Sequence, residues 1–477
     1  MLYSESLLCY NTFTNCIEEN LDHFFSILGV FEDSLWGYVG FPLIVLFGVY
    51  LTYVSRFVQI RSFPLVVKTF WHFLTHKGEK EGEGIPPLKA FFASIGGCVG
   101  IGNIVAITSA VQIGGPGALF WVWMTAFAGS LVKYSEVFLG MTTRHVCPKR
   151  GFRGGPMYIL EKAFNGSKIP GIIFCIFMCL YGVEIYQFSV VTSTLSSSFA
   201  LPKLWVTLGL LALVIYAERG GIARIGSISS WMMPTCILVY LAMGGYILVA
   251  SWDLIPTVFC DIFKYAFEPH AAEGGFLGSA LLITISQGIR RGCYSSDIGV
   301  GYASIIHSES SVQKPARQAS LLIFEVFIDT FVICTMSVLI VLLTGTWQLD
   351  IEPIYLVQTS LSYFFPYIEY FMPIFIFLLG YSTVITYFAA GMRTAVFLSP
   401  KYGQRVYYLY AVVGLFTFSF VHSSQAITIM ALVQLGLLIL NSLGIWRLRK
   451  QLSFDIPEFD TLPAKNQYQN ANCTHSS

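Results

Sequence analysis

Long apolar runs alternate with short polar stretches along almost the whole chain. A helix of about 20 apolar residues is long enough to cross the hydrocarbon core of a bilayer. The pattern predicts eleven such segments, near 36–57, 89–113, 117–141, 171–199, 203–217, 228–251, 276–306, 319–344, 368–398, 405–420 and 424–446. We therefore expect an all-α polytopic membrane protein with about 11 transmembrane helices.

Two of these segments are interrupted by glycine-rich stretches. The second contains "GGCVGIGN" at 96–103, and the seventh contains "SQGIRRGCYSSDIGVG" at 286–301. When the first segment is set aside, the remaining ten divide into five plus five, and each group opens with an interrupted helix. Two such units that begin on opposite sides of the membrane form an inverted repeat, and paired broken helices indicate the central site of a transporter. The alternative is that these glycines only permit close helix packing.

Lysine and arginine are distributed unevenly between the predicted loops. The first 35 residues contain neither, and basic-rich and basic-poor loops then alternate along the chain. Because cytoplasmic loops are enriched in these residues, we expect an extracytoplasmic amino terminus and a cytoplasmic carboxyl terminus. The predicted organisation is an extracytoplasmic segment at 1–35, an additional transmembrane helix at 36–57, five-helix repeats at 89–251 and 276–446, and a disordered cytoplasmic tail at 455–477.

Composition agrees with a membrane protein and argues against several classes of function. Charged residues make up 12% of the chain and the mean hydropathy is +0.66, whereas soluble domains are roughly 25% charged. The formal net charge of +1 suggests no nucleic-acid partner. The sequence has no phosphate-binding GxxxxGK[ST] motif, no His/Cys set at metal-ligand spacing and no nucleophile–base constellation, so we do not expect an enzyme.

Unwound backbone is tolerated at membrane depth only where it lines a cavity or is buried in protein. Its freed N–H groups can bind a carboxylate, and its freed carbonyl groups can bind a cation. An amino acid and Na⁺ would suit such a site. The candidate residues for substrate binding are Gly100, Gly102 and Asn103 at the first break and Ser286, Gln287 and Gly288 at the second.

Several motifs together carry a resemblance to a known family. They are "GIGN" at 100–103, "GGPGALFWVWMTAFAG" at 114–129, "KYSE" at 133–136, "RGGPMYIL" at 153–160, "RG" at 291–292 and "EVFIDT" at 325–330. From about residue 35 to residue 450 the chain resembles the alanine or glycine:cation symporter family (sodium:alanine symporters), within the amino acid-polyamine-organocation transporter superfamily.

The resemblance implies a LeuT-like fold and symport of small neutral amino acids, such as alanine and glycine, with Na⁺. It implies no resident cofactor, since Na⁺ is a co-transported ion, and a place in the plasma membrane, here the bacterial inner membrane. We expect a monomer in the lipid bilayer.

The resemblance also extends the candidate site to two further helices. Gln187 matches a glutamine that faces the family's site, and "YSTVITY" at 381–387 is similar to the family's "FSTILGW". Thr383 then matches a substrate-contacting threonine, and Tyr387 matches a tryptophan that walls the pocket. Ser382 and Thr383, with backbone carbonyl groups near Gly97, are the oxygen donors expected for Na⁺.

The sequence departs from the family at the second break. "SSDIGVGYAS" at 295–304 stands where the family has "SNEAGLGSAP", so Ser296, Asp297 and Ser304 replace Asn, Glu and Pro. An ionisable residue inside a membrane span calls for a functional hypothesis.

At the first break the family has Thr where this chain has Cys98 and Ile101. The loss of these two hydroxyl groups motivates the first alternative, a proton-coupled symporter in which Glu184 or Asp297 titrates. A channel, which needs a continuous polar pore, is a second alternative.

Four further ionisable residues lie in the predicted spans, namely Lys133, Glu136, Glu325 and Asp329. We expect Lys133 to form a structural pair with Glu136, three residues away on the same helix face. We expect the two acidic residues at 325 and 329, four apart on one face, to form an ion pair with Arg290 or Arg291.

Overall fold

The structure is a computed structural model that describes residues 23–75, 83–147, 151–268, 277–421 and 423–458. Helices form nearly all of the regular structure in these ranges. The single sheet found there is a short antiparallel hairpin of β1 (His145–Cys147) and β2 (Gly151–Arg153). The prediction of an all-helical protein is therefore confirmed.

The helices follow one another along the chain with short connections. The first part of the chain forms α1 (His23–Val54), α2 (Val58–Arg61), α3 (Phe63–Thr75), α4 (Pro87–Cys98), α5 (Val105–Gly114), α6 (Ala118–Thr142), α7 (Pro156–Ala163), α8 (Ile169–Tyr181), α9 (Ile185–Ser198), α10 (Lys203–Glu218) and α11 (Gly221–Ala250). The second part forms α12 (Ile255–Tyr265), α13 (Leu277–Ser295), α14 (Tyr302–Ser308), α15 (Pro315–Leu343), α16 (Pro353–Ser362), α17 (Ile368–Leu398), α18 (Gly403–Phe418) and α19 (Ser423–Leu448). Single 3₁₀ turns lie at Ile101–Asn103, Trp252–Leu254, Thr346–Gln348 and Arg449–Gln451.

Six helical stretches in the described part of the chain are long and apolar enough to cross a membrane. They are His23–Val54, Ile169–Ser198, Gly221–Ala250, Pro315–Leu343, Ile368–Leu398 and Gln425–Gln451. The pair α4 and α5 qualifies as a seventh if it is one span bent by 56°. At two other predicted spans the helices α10 and α18 have only 16 residues each. The protein is thus a helical membrane protein, and the count of eleven stays a prediction.

Helix α17 is the most enclosed of these spans, because 83% of the residues in its most apolar stretch are buried inside the protein. It packs against α4, α8, α9, α11 and α18. Helix α6 likewise contacts several helices, namely α1, α13, α14 and α15. Polar side chains on α17 and α6 therefore face other helices rather than lipid.

The first break occurs where the glycines predict it. Helix α4 ends at Cys98, Val99 is extended, and α5 resumes at Val105 after a 3₁₀ turn. A third, unpredicted break separates α8 from α9, where Glu184 has a left-handed backbone with φ of 51°. A left-handed residue thus interrupts the regular helix within the span Ile169–Ser198.

The second break lies later in the chain than predicted. Helix α13 is continuous to Ser295, and the backbone leaves the helix at Asp297, Gly299 and Gly301, which all have positive φ. The expectation that Ser286, Gln287 and Gly288 lie at the break is therefore wrong. Gly288 instead serves packing, because a Cβ there would lie 2.5 Å from the Ala118 carbonyl oxygen and 2.6 Å from Trp121 Cβ.

Both ends of the described chain differ from the predicted boundaries. The boundary between 35 and 36 falls inside α1, at the start of a π-helical turn over Trp36–Gly40. Most of the predicted amino-terminal segment, 1–22, lies outside the described residues.

The predicted disordered tail is ordered at its start. Tyr134 donates a hydrogen bond to the Ser453 carbonyl at 2.7 Å, and Phe454 stacks on the Tyr134 ring. Arg317 donates to the Glu458 carbonyl at 3.1 Å. Residues 455–458 are therefore held against the body, which corrects that part of the prediction, whereas 459–477 lie outside the described residues.

Candidate functional site

Two side-chain amides maintain the first break. The Gly100 N–H donates to Asn103 Oδ1 at 2.8 Å, and the Ile101 N–H donates to Gln187 Oε1 at 3.2 Å. In an uninterrupted α-helix these N–H groups would bind the carbonyl groups of Gly96 and Gly97. Those two carbonyl groups lose their helical partners and become available to other donors or to a cation.

Neighbouring side chains leave no room for a Cβ atom at Gly100, whereas a Cβ atom fits at Gly102. A Cβ at Gly100 would lie 2.6 Å from Thr383 Oγ1 and 2.9 Å from both terminal atoms of the Gln187 amide. A Cβ at Gly102 would make only ordinary contact, 3.5 Å from the Tyr294 ring. The two glycines, equivalent in the sequence, thus have different roles.

Hydroxyl groups gather beside the freed carbonyl groups of α4. Thr383 Oγ1 lies 3.4 Å from the Gly96 carbonyl oxygen, and Ser382 Oγ lies 3.2 Å from Ser229 Oγ. Thr386 donates to the Ala93 carbonyl at 3.0 Å. These groups are buried, and they are the neutral oxygen ligands that a hard monovalent cation accepts.

Asp329 connects the first break to the second. Its carboxylate accepts from Asn103 Nδ2 at 2.5 Å, from Ser296 Oγ at 2.8 Å and from Thr330 Oγ1 at 3.0 Å. Asp329 lies in a π-helical stretch of α15, Phe327–Cys334. Such stretches are rare and frequent at functional sites. Asn103, which also sets the backbone of the first break, is therefore fixed by the second half of the chain.

Lys133 binds elements on both sides of the same region. Its ammonium group forms an ion pair with Glu325 at 2.8 Å and donates to the Ser296 carbonyl at 3.0 Å. It also lies 3.5 Å from Cys98 Sγ, at the end of α4. Both charged side chains are fully buried.

The expected pair of Lys133 with Glu136 is therefore wrong. Glu136 lies three residues further along α6 and accepts from Asn441 Nδ2 at 2.7 Å. Positions three apart on one helix allow an ion pair. Here Lys133 instead binds Glu325 on α15, and Glu136 binds Asn441 on α19.

The expected pairing of Glu325 and Asp329 with Arg290 or Arg291 is wrong as well. Arg290 lies in the last third of α13 and forms ion pairs with Glu32, at 3.5 Å, and with Asp33 on α1. Its side chain thus points to the amino-terminal helix. Glu325 instead pairs with Lys133, and Asp329 accepts hydrogen bonds from Asn103 and Ser296 at the two breaks.

A cluster of three tyrosine rings reaches Asp297 at the second break through Tyr181. Tyr181 OH lies 3.4 Å from Asp297 Oδ1, and the Tyr387 ring lies 5.2 Å from the Tyr181 ring and 4.5 Å from the Tyr302 ring. Tyr387 is 1% exposed, so it belongs to the wall of this buried region. Glu184, also buried, has one carboxylate oxygen without a partner among the described residues.

A cavity of about 580 Å³ opens at the end of the bundle where α5 and α9 end. Val105 and Tyr186 lie at its inner wall, next to the residues of the first break, and Arg291 and Glu352 are its charged lining residues. The residues of the buried polar cluster, such as Asn103, Gln187 and Thr383, do not line this cavity. The cavity therefore approaches the cluster without reaching it.

The opposite end of the bundle is closed by an ion pair between α17 and the segment after α14. Arg393 Nε lies 2.6 Å from Glu309 Oε1. Burial raises the pKa of Glu309 above its usual range, and the charge of Arg393 opposes that rise. The space beside this pair holds only about 20 Å³.

The structure brings together most of the residues expected from the sequence. Gly100, Asn103, Gln187, Ser382 and Thr383 lie within one polar cluster with the Gly96 carbonyl group, and Tyr387 is close to the second break. Gly102 lies nearby but faces Tyr294, and Ser286, Gln287 and Gly288 lie on the helix before the break.

Sequence reasoning missed Ser229 and the role of Asp329. Ser229 lies in the long helix α11, where nothing in the pattern separates it from its neighbours Ser227 and Ser230. For Asp329 a signal was present, because a carboxylate four residues after another within an apolar run needs donors. Asn103 and Ser296, both at predicted breaks, were the available donors.

Comparison with known proteins places the chain among transporters. Residues 21–471 match the family model described as the sodium:alanine symporter family. A probable sodium/glutamine symporter of Bacillus subtilis is 30% identical over 441 residues, which cover 91% of this chain and 90% of that protein. A sodium/alanine symporter of Methanococcus maripaludis is 29% identical over 80% of this chain and 86% of its own length. An uncharacterized transporter of Haemophilus influenzae is 32% identical over 68% of this chain and 71% of its own length.

Proposed function

This chain belongs to the sodium:alanine symporter family, and from this premise we propose that it couples the entry of Na⁺ to the uptake of a small neutral amino acid. The observation that carries the proposal is the Gly96 carbonyl group, released at the first break and 3.4 Å from Thr383 Oγ1, with Ser382 Oγ close to the Gly96 backbone. The relatives named for glutamine and alanine support a neutral amino acid as the substrate class.

The proposed Na⁺ ligands are Ser382, Thr383 and the backbone carbonyl groups near Gly97. They are uncharged oxygen atoms in a buried place, which suits a monovalent ion better than a divalent one. One Na⁺ that enters down about 100 mV releases roughly 2.3 kcal/mol, enough for roughly fifty-fold accumulation of substrate.

The proposed substrate position is beside Gly100, Asn103 and Gln187. Amide oxygens of Asn103 and Gln187 hold the N–H groups of the first break. A carboxylate oxygen is a stronger acceptor than an amide oxygen, so the carboxylate of an amino acid can replace these contacts. Tyr387 and Thr383 then border the side chain of the substrate, and the backbone of Gly102 belongs to the same turn.

We further propose that the chain spans the bacterial inner membrane eleven times as a monomer with a five-plus-five inverted repeat. In this arrangement the cavity beside Arg291 opens to the outside, and the Arg393–Glu309 pair closes the cytoplasmic end. Rocking of one group of helices against the other would then break this pair and expose the site to the cytoplasm.

Uptake in proteoliposomes is the experiment that tests the proposal. With labelled alanine outside, an imposed inward Na⁺ gradient should drive accumulation at constant pH. Replacing Na⁺ with choline should reduce uptake to the level of empty vesicles. A panel of amino acids then identifies the substrate, and uptake that ignores Na⁺ would refute the proposed coupling.

Thr383→Val should separate the roles of the hydroxyl group. The change keeps the shape and removes an oxygen 3.4 Å from the Gly96 carbonyl. If Thr383 binds the cation, the half-saturating Na⁺ concentration should rise about tenfold, the effect of one lost ligand bond of about 1.4 kcal/mol.

Thr192→Val is the matched control, because Thr192 is buried on α9 but bonds only to carbonyl groups of its own helix. It should leave the Na⁺ dependence unchanged. A Thr383→Val protein with the Na⁺ and alanine dependence of wild type would remove this residue from the site.

A proton-coupled symporter is the second candidate function. Glu184, buried and with an unpartnered carboxylate oxygen, is the observation that favours it. Asp297 at the second break is the other candidate for titration. Uptake that follows an imposed pH gradient in the absence of Na⁺, and that is lost in Glu184→Gln, would select this mechanism.

Orientation has its own test in Cys260. This exposed cysteine lies on α12, in the connection between the two proposed repeats. The proposed topology places it outside the cell, so an impermeant maleimide should label it in intact cells when Cys9 and Cys16 are replaced by serine. Cys260→Ser in that background should abolish the label, and labelling that requires permeabilised cells would contradict the orientation.

A further inference from the structure

We propose that Arg291 is a docking site for the carboxylate group of the amino acid in the open cavity, before the substrate enters the buried cluster. This inference rests on the proposed function. It concerns the cavity of about 580 Å³, which lies outside the buried site described above. Arg291 is partly buried and belongs to the cavity lining.

The guanidinium group of Arg291 has one acidic neighbour at longer range in the described part of the chain, the Glu32 carboxylate, which lines one small cavity together with Arg291. It takes part in no ion pair or hydrogen bond there, and its Nε is buried without an acceptor. The neighbouring Arg290 already engages Glu32 and Asp33. A partly desolvated cation without an acceptor is costly, so this position favours an anionic ligand.

The surroundings of Arg291 fit a small zwitterion. The cavity wall beside it carries Tyr186 and the hydroxyl groups of Ser193 and Ser197, and its other charged residue is the exposed Glu352. Guanidinium binds carboxylate in a two-pronged geometry that an ammonium group cannot reproduce. An α-carboxylate is the anionic group that every amino acid shares, so a site of this kind would concentrate substrates without selecting their side chains.

The place of Arg291 in the chain connects this docking site to the deeper cluster. It lies on α13 one turn before Ser295, the last residue of the helix, and the second break follows. Val105 and Tyr186 line the same cavity; Val105 begins the helix after the first break, and Tyr186 precedes Gln187, which binds the Ile101 N–H. A carboxylate released from Arg291 therefore has a short path to the N–H groups of Gly100 and Ile101.

Kinetics of alanine uptake in proteoliposomes test the inference. Arg291→Gln should raise the external KM about tenfold or more, the worth of a lost charge-assisted contact, and leave the turnover at saturating alanine within about twofold. Arg291→Lys, which keeps the charge and loses the fork, should raise KM to a smaller extent. This second variant keeps the test informative if Arg291→Gln does not reach the membrane.

Two controls separate docking from general electrostatics. Arg290→Gln removes an equal charge one residue away, where the side chain faces α1, and should leave KM unchanged. Glu352→Gln changes the exposed charge of the same cavity and should have a smaller effect than Arg291→Gln. An equal rise of KM in Arg290→Gln would overturn the inference.

The outcomes also distinguish this inference from the proposed function. Absence of alanine uptake by the wild type would refute the function itself. Uptake by the wild type with an unchanged KM in Arg291→Gln and Arg291→Lys would refute only the docking site. A wild-type KM that depends on chloride, with that dependence lost in Arg291→Gln, would assign the guanidinium to an inorganic anion and likewise overturn it.

Discussion

Lys133→Met should destabilise the protein by about 3–5 kcal/mol, the cost of a buried ion pair that loses one partner. The change leaves Glu325 fully buried with its carboxylate uncompensated. It also removes the donor to the Ser296 carbonyl, which belongs to the second break. We expect a large drop in the thermal unfolding temperature of the purified protein in detergent, together with loss of uptake.

The double variant Lys133→Met with Glu325→Gln is the control for this prediction. It removes both charges and keeps the volume of the Glu325 side chain, so most of the lost thermal stability should return. Transport should stay low, since the contact of Lys133 with Ser296 is still absent. If the double variant unfolds at the temperature of the single one, the buried charge is not the source of the loss.

Gly100→Ala should lower the initial rate of uptake by about a hundredfold or more, through a misplacement of about 1 Å at the site. The added Cβ would lie 2.6 Å from Thr383 Oγ1 and 2.9 Å from the Gln187 amide. Both side chains must move, and Gln187 then releases the Ile101 N–H that it holds at 3.2 Å. The rate is measured at fixed Na⁺ and normalised to the amount of protein in the vesicles.

Gly102→Ala is the matched control, two residues away in the same turn. Its Cβ would meet the Tyr294 ring at 3.5 Å, which is ordinary contact. We expect uptake within about twofold of wild type, because alanine favours helical backbone over glycine by at most about 1 kcal/mol. Equal losses in both variants would mean that backbone flexibility, rather than space beside Thr383, is what the first break requires.

The first break and its partners were predictable because they follow from local chemistry. Glycines at 96, 97, 100 and 102 weaken a helix wherever they occur, and Asn103 directly follows them. The motif around Thr383 added the third helix through the family resemblance. These residues lie in one cluster because α17 packs against both α4 and α9, and Gln187 on α9 reaches the Ile101 N–H.

The position of the second break was not predictable in the same way. "SQG" and "GVG" both look like interruptions, but Gly288 faces the Ala118 backbone and allows two helices to touch, whereas Gly299 and Gly301 take positive φ. Only the neighbouring helix decides between the two uses of glycine. Spacing along one helix likewise suggested a pair for Lys133, but its partner comes from a helix almost two hundred residues away.

The ordered residues after the last helix determine how much of the carboxyl terminus the fold needs. Ser453 and Phe454 cover the Tyr134 side chain, and Glu458 is the last residue of the described chain that contacts the body. A truncation that removes Ser453 and all residues after it would expose the buried Tyr134 side chain of helix α6. A reporter domain fused directly after the last helix would displace the same cover, so fluorescent or affinity tags belong beyond Glu458.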